Sequence, residues 1–315
     1  MIILAKKDYL SIDIGGTFTK YALIDHSGNL KVKSKFATPN SDVQEFLKAI
    51  YQVIDDNIDS IRGIAFSIPG RIDKDDQTIY FGGALPMLHG LSLGRIIQSK
   101  YNLPVSMEND GKCAALAELW LGNLQGVENG AALVLGTAVG GGIILKGKLW
   151  SGTHFQGGEL SFMLTQVDNR SDAENNIMLN AGSAVKMVNT IGDKLELSDP
   201  TDGLRVFKAI ENDDPIARPI FEEYCRRIAY IITNTQAVLD LTNYVIGGGI
   251  SNESILVPEI NHQIQIIRDE NPLLRDTLQK PTVETAKFKN DANLFGALYS
   301  LLVDLDDTHS VSVEL

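Results

Sequence analysis

Asp13-Ile14-Gly15-Gly16-Thr17 places an acidic residue at the end of an apolar run, followed by two glycines that let backbone N–H groups approach an anion closely. A phosphate fits such a turn, and Asp13 could hold a metal on that phosphate, or the metal's water shell. The plainer reading is a hairpin turn that uses glycine for backbone freedom. It is not a P-loop, because no Gly-Lys-Ser/Thr follows and the next run reads as strand. Gly136-Thr137-Ala138-Val139-Gly140-Gly141-Gly142 offers a hydroxyl and backbone donors in the same setting. Two facing turns of this kind could clamp a phosphate chain, whereas two unrelated glycine turns would be coincidence. Gly247-Gly248-Gly249, after the apolar run Tyr244 to Ile246, either lets a flat ring lie on bare backbone or is an ordinary loop.

The carboxylates suggest a second half of the chemistry. Glu108-Asn109-Asp110 lies where a strand gives way to a helix, so Asp110 is either a helix N-cap or a base that takes a proton from a hydroxyl attacking phosphorus. Asn109 could orient the acceptor through its amide. Gly157-Gly158-Glu159 follows the second glycine turn, and Glu159 could accept from two hydroxyls or be a solvated loop residue. His154 is more ordinary as a surface or core histidine, and the other histidines form no spaced cluster. Cys113 and Cys225 stand far apart in helical stretches and read as reduced core thiols.

The elements around these residues follow from apolar spacing. Leu10 to Ile14, Phe18 to Ile24 and Lys31 to Ala37 are short runs separated by tight turns, which predicts an antiparallel meander. Val43, Phe46, Leu47, Ile50, Val53 and Ile54 recur at helical spacing, and Ile61 to Ile68 reads as a buried strand. Helix Leu91 to Lys100, strand Val105 to Glu108 and helix Gly111 to Leu121 follow. From Ala132 the strand, Gly/Thr turn, strand, glycine-turn order of the opening segment repeats, which predicts two related domains with a cleft between them. The second half is more helical: a long periodic segment spans Ile216 to Leu239 and a further helix Glu253 to Asp269. Residues 304 to 315 are acidic and aperiodic and are expected to fray.

A chain of 315 residues with 44% hydrophobic content can bury more than one ordinary core, which agrees with two domains. The net charge of −12 opposes an extended contact with nucleic acid or an anionic membrane, so a small-molecule partner is expected. No signal peptide and no long apolar span is visible, and a cytoplasmic location is expected.

Taken together, DIGGT (13–17), SIPGRID (67–73), VSMENDGKCAALAE (105–118), LGTAVGGGI (135–143), SGTHFQGGEL (151–160), IGGGIS (246–251) and KNDANLFGAL (289–298) resemble the ROK (repressor, open reading frame, kinase) family of the actin-like ATPase and sugar-kinase superfamily, over roughly residues 9 to 302. The resemblance implies a Mg-ATP-dependent sugar kinase with ATP and a sugar as its small-molecule partners. Asp13, Gly15, Gly16, Thr17 and Lys20, with Gly136, Thr137, Gly140 and Gly141, would hold the phosphates and magnesium, the metal through Asp13. Gly247, Gly248 and Gly249 would lie near adenosine. Asn109, Glu159, Gly70, His154 and Phe162 would line the sugar, and Asp110 would be the catalytic base.

Some positions depart from the family pattern. Ala138 stands for a glycine and Lys112 for the second asparagine of NDAN. The usual EIGH run reads Glu159-Leu160-Ser161-Phe162, and the CxCGxxGCxE segment is absent from residues 163 to 182, so no structural zinc is expected. The zinc-free members include β-glucoside kinases and N-acetylmannosamine kinases.

The fold class implied is α/β, with two actin-like (ribonuclease H-like) domains of mixed sheets: residues 1–118 with 293–315, and residues 119–292. The substrate expected is a hexose or β-glucoside phosphorylated at O6, with N-acetylmannosamine kinase or glucokinase as the alternatives and a homodimer left open. A sugar-responsive regulator is the rival from another class; Asp13 lies too near the start to leave room for a helix-turn-helix domain.

Overall fold

The computed structural model describes residues 7–164 and 177–313. The chain forms two compact units, the first comprising residues up to Leu121, Ser151–Gly157 and the chain from Asp291 onward, and the second comprising Gly122–Trp150 and Gly158–Asn290.

In the first unit β1 (Asp8–Ile14), β2 (Phe18–Ile24) and β3 (Leu30–Ala37) make the expected antiparallel meander. All seven residues of β1 are buried, as a strand covered on both faces must be. β3 is the sheet edge, and its exposed lysines Lys31, Lys33 and Lys35 discourage pairing with another chain. The helix α1 (Val43–Asp55) is capped by Asp42, whose carboxylate accepts from the Gln44 N–H at 3.1 Å. Its buried face is Phe46, Leu47, Ile50, Val53 and Ile54. Then come β4 (Ile61–Ile68), parallel to β1, the hairpin β5 (Arg71–Asp73) and β6 (Thr78–Tyr80), α2 (Leu93–Tyr101), β7 (Val105–Asn109) and α3 (Asp110–Leu121). The sheet order is β3-β2-β1-β4-β7.

The second unit repeats this plan. β8 (Gly130–Leu135), β9 (Val139–Leu145) and β10 (Lys148–Leu149) are antiparallel. The helices α4 (Met178–Ala181), α5 (Ala184–Lys194), α6 (Gly203–Glu211) and α7 (Ala217–Leu239) precede β11 (Asn243–Gly248), which runs parallel to β8. α8 (Leu256–Glu270), α9 (Pro272–Thr277) and β12 (Thr282–Thr285) complete it, in the order β10-β9-β8-β11-β12. The repeat read from one hairpin therefore extends to a whole five-stranded plan. α8 begins three residues later than its apolar spacing suggested, which puts Pro258 in the first turn, where its missing N–H has no helical partner to lose.

The last helix, α10 (Ala292–Val313), belongs to the first unit. It corrects the expectation that the chain frays from residue 304. Asp304 is tied to Lys74 at 3.2 Å and accepts from the Ser106 hydroxyl at 2.6 Å, so interactions across the fold hold a segment whose own pattern is uninformative. A side chain at Gly296 would strike the Cys113 carbonyl, so α10 and α3 pack with their backbones almost touching. Cys113 and Cys225 are buried free thiols, and burial pushes both pKa values well up. No described helix is long and apolar enough to cross a membrane.

Candidate functional site

The β1–β2 turn carries the first group of residues. Asp13 is only 7% exposed, and its Oδ1 accepts from the Ser67 hydroxyl at 2.9 Å and from the Asn293 amide at 3.0 Å. Its other oxygen lies 3.6 Å from the Lys20 ammonium, its cross-strand partner. The Gly15 N–H donates to the Phe18 carbonyl, and the Gly15 carbonyl accepts from Thr38 at 2.7 Å. A Cβ on Gly16 would meet Ala84 at 2.7 Å, so the turn is tight on both glycines, while Thr17 is exposed. One buried, oriented carboxylate beside a glycine turn suits a magnesium ion that keeps several of its waters. Among the described residues no group of three or more His, Cys, Asp or Glu could hold a metal. The absent cysteine segment of 163 to 182 falls partly on residues 165–176, outside the described residues.

At the same strand end of this sheet, two strands from β1, β7 delivers Asn109 and Asp110 to the start of α3. Asn109 Oδ1 accepts from the Lys112 N–H at 3.1 Å, so Asn109 is the capping side chain, which corrects the ordinary reading of Asp110. The Asn109 amide donates to the Gly70 carbonyl at 2.9 Å and to Asp110 Oδ1 at 3.0 Å. Asp110 Oδ1 also accepts from the Gly111 N–H at 2.8 Å. The structure thus brings Gly70, Asn109 and Asp110 together, with Asp110 half-buried and its carboxylate oriented by two donors.

Sequence reasoning missed the residues behind this group. Glu108 is 2% exposed and faces Lys74 at 3.7 Å. Burial alone pulls the Lys74 ammonium down, but the Glu108 and Asp304 carboxylates outweigh it and its pKa is raised. Lys112 is itself 2% exposed and donates to the Phe155 carbonyl at 2.7 Å, which gives this departure from NDAN a physical role: it anchors the 151–157 segment to α3. Arg71 reaches the adjacent His154 carbonyl at 3.4 Å, and the His154 side chain itself is exposed. Ser67 and Asn293 were quoted within motifs without a role. The parallel pairing of Asp13 with Ser67 is the signal that assigns Ser67 one, and it exists only once β1 and β4 are aligned.

In the second unit Gly136, Thr137 and Ala138 form the β8–β9 turn, with the Gly136 N–H donating to the Ala138 carbonyl at 3.1 Å and Thr137 exposed. The Gly136 carbonyl accepts from Ala184 N at 2.9 Å, which docks the start of α5 on this turn. Gly140 and Gly141 lie in β9, where a Cβ on Gly141 would meet the Ala132 carbonyl at 2.5 Å. Gly247 and Gly248 end β11 and Gly249 follows. Gly248 has φ +99° and lies against Leu135, the last residue before Gly136, so these two glycine turns are neighbours. Ser251 closes the second of them on the Gly248 carbonyl at 2.8 Å. Glu159 is half-buried at the head of the short 3-10 turn Leu160–Phe162, which Ser161 ties to the Val139 carbonyl at 2.9 Å, and Phe162 is 66% exposed. A groove of about 950 Å³ between α5 and α7, lined by Ser183, Lys186, Tyr224 and Arg227 among others, contains none of the sequence-predicted site residues.

The sequence matches the ROK family over residues 9–303. It is 31% identical to a β-glucoside kinase of Listeria innocua across 93% of this chain and 96% of that one. It is 26% identical to an N-acetyl-D-glucosamine kinase of Citrobacter koseri across 94% of this chain and all of that one. The fold superposes on the crystal structure of a ROK family protein from Streptococcus pneumoniae in complex with sucrose, with TM-score 0.84, 28% identity and coverage of 95% and 99% of the two chains.

Proposed function

Because this chain belongs to the ROK family and is a sugar kinase of actin-like fold, we propose that it transfers the γ-phosphate of ATP to the 6-hydroxyl of a glucose unit in a β-glucoside such as cellobiose, with Asp110 as the general base. The observation that carries the reading is the fixed carboxylate of Asp110, held by Asn109 and the Gly111 N–H at the head of α3. A base needs a defined orientation toward the hydroxyl it deprotonates and a charge to receive the proton, and these bonds supply the first without removing the second.

The remaining roles follow from the local chemistry. The glycine turns at Gly15–Gly16 and Gly136–Gly141 bind the phosphates, with Thr17, Thr137 and Lys20 beside them, and Gly247 to Gly249 lie near adenosine, where Gly249 leaves its backbone bare. Magnesium, held through Asp13, supplies charge neutralisation to the phosphates when bound. Glu159 of the second unit accepts from sugar hydroxyls, and Gly70, Asn109 and His154 of the first unit bind the acceptor.

Phe162 favours the glycoside. An aromatic side chain offers no polar partner that is left unpaired when the anomeric oxygen carries a substituent, so a glycoside is not penalised there. The relative of Listeria innocua is a β-glucoside kinase, and the Streptococcus pneumoniae relative holds a disaccharide, sucrose. N-acetylmannosamine and free glucose are the competing acceptors.

The test compares kcat/KM for cellobiose, glucose and N-acetylmannosamine on one preparation by coupled ADP release. Cellobiose is expected to be used at least as well as glucose. A preference above about tenfold, which is about 1.4 kcal/mol, for N-acetylmannosamine over both others rejects the glycoside and leaves the kinase intact.

A further inference from the structure

Phe81 directly follows β6 and breaks two ordinary rules at once. Its side chain is 74% exposed, and its backbone sits at φ +53°, a region that a bulky residue rarely occupies without outside support. Three contacts enforce the conformation. The Phe81 N–H donates to His89 Nδ1 at 3.1 Å, the Phe81 carbonyl accepts from the Gly83 N–H at 2.6 Å, and the ring lies against the His89 imidazole with centroids 5.1 Å apart. His89 in turn meets Tyr80 edge-on at 5.9 Å, and the Arg71 guanidinium lies 4.2 Å over the Tyr80 ring. A strained backbone that holds an aromatic face out into water is not needed for packing, because the ring covers little.

Its position relates it to the acceptor side. Gly70 has φ +96°, and any Cβ there would strike the Phe81 carbonyl, so the two backbones are in contact. The Gly70 carbonyl receives the Asn109 amide at 2.9 Å, and Asn109 orients Asp110. Two residues, Gly70 and Asn109, therefore stand between Phe81 and the proposed base Asp110.

Resting on the β-glucoside reading, we propose that Phe81, braced by His89, is the platform for the second pyranose ring, the one joined to the anomeric oxygen of the phosphorylated glucose. The apolar C–H face of a pyranose stacks on an aromatic ring, and the rim formed by Arg71 and His89 is polar enough to meet its hydroxyls. Free glucose has no group to place there.

The test uses the full-length enzyme with cellobiose and with methyl β-glucoside, which has a substituted anomeric oxygen and no second ring. Phe81→Asn removes the ring and tolerates the left-handed backbone; Phe81→Tyr keeps the face. The ratio of kcat/KM for cellobiose to that for methyl β-glucoside is expected to fall about tenfold in Phe81→Asn and to stay within about twofold in Phe81→Tyr. An unchanged ratio in Phe81→Asn, or an equal loss on both glycosides, overturns the platform and leaves the substrate reading standing. An unsubstituted enzyme that phosphorylates free hexoses and neither glycoside overturns the substrate reading and the platform with it.

Discussion

Asp110→Asn is expected to lower kcat by about 10²- to 10⁴-fold while sugar binding changes only a few-fold. The substitution retains an oxygen for the Gly111 N–H, now 2.8 Å from Asp110 Oδ1, and leaves the helix cap untouched, since the cap is Asn109 accepting from Lys112 N–H. What disappears is the charge that, in the proposed mechanism, takes the proton from the sugar hydroxyl. The thermal midpoint is therefore expected to stay within a few degrees of the parent, as a substitution that spares cap and core costs well under about 1 kcal/mol. Steady-state turnover, sugar affinity by calorimetry and a melting curve on the same protein separate these effects. Activity within about threefold of the parent would show that Asp110 is not the base.

Gly248→Ala is expected to weaken ATP binding by about tenfold or more and to cost roughly 1–3 kcal/mol of stability, with a much smaller change in sugar affinity. The residue has φ +99°, where an L side chain is strained, and its Cβ would strike the Leu135 backbone at the end of β8. Relief requires the β11 turn to move away from the strand that leads directly into Gly136, so the turns proposed for adenosine and phosphate are displaced together. Gly249→Ala is the informative comparison, because nothing lies within 4 Å of a Cβ there. A loss of ATP affinity at Gly249 then reports contact with the nucleotide itself. If Gly248→Ala left both nucleotide affinity and stability unaltered, the turn would play no part in the nucleotide site.

The hairpins and their glycine turns were legible because strand alternation and turn chemistry are local, as in Leu10 to Ile24 and again from Ala132 to Leu145. The common order of the two sheets was not legible, since it depends on parallel pairings such as β1 with β4 and β8 with β11, whose partners lie roughly 50 to 110 residues apart. Separation in sequence, 54 residues for Ser67 and 280 for Asn293, likewise hid the holders of Asp13, which reach it only after β4 and α10 have docked. Local spacing also left the cap of α3 open, because Asn109 and Asp110 are both good capping residues and only the geometry distinguishes them. Lys112 had no reading at all in the sequence. Its burial and its bond to the Phe155 carbonyl belong to the approach of two segments more than 40 residues apart. The acidic end of α10 appeared aperiodic for a related reason: Lys74 and Ser106, both outside the helix, hold Asp304.

The central claim is a phosphoryl transfer to one hydroxyl of a glycoside, and the product tests it most directly. The enzyme is incubated with Mg-ATP and cellobiose, and the phosphorylated sugar is examined by ³¹P and ¹³C NMR, in which phosphorus couples to the carbon bearing the ester. The expected result is a single phosphate monoester on the 6-carbon of the non-reducing glucose, formed in step with ADP. An ester at any other carbon, or ADP release with free phosphate and unmodified cellobiose, would contradict the account.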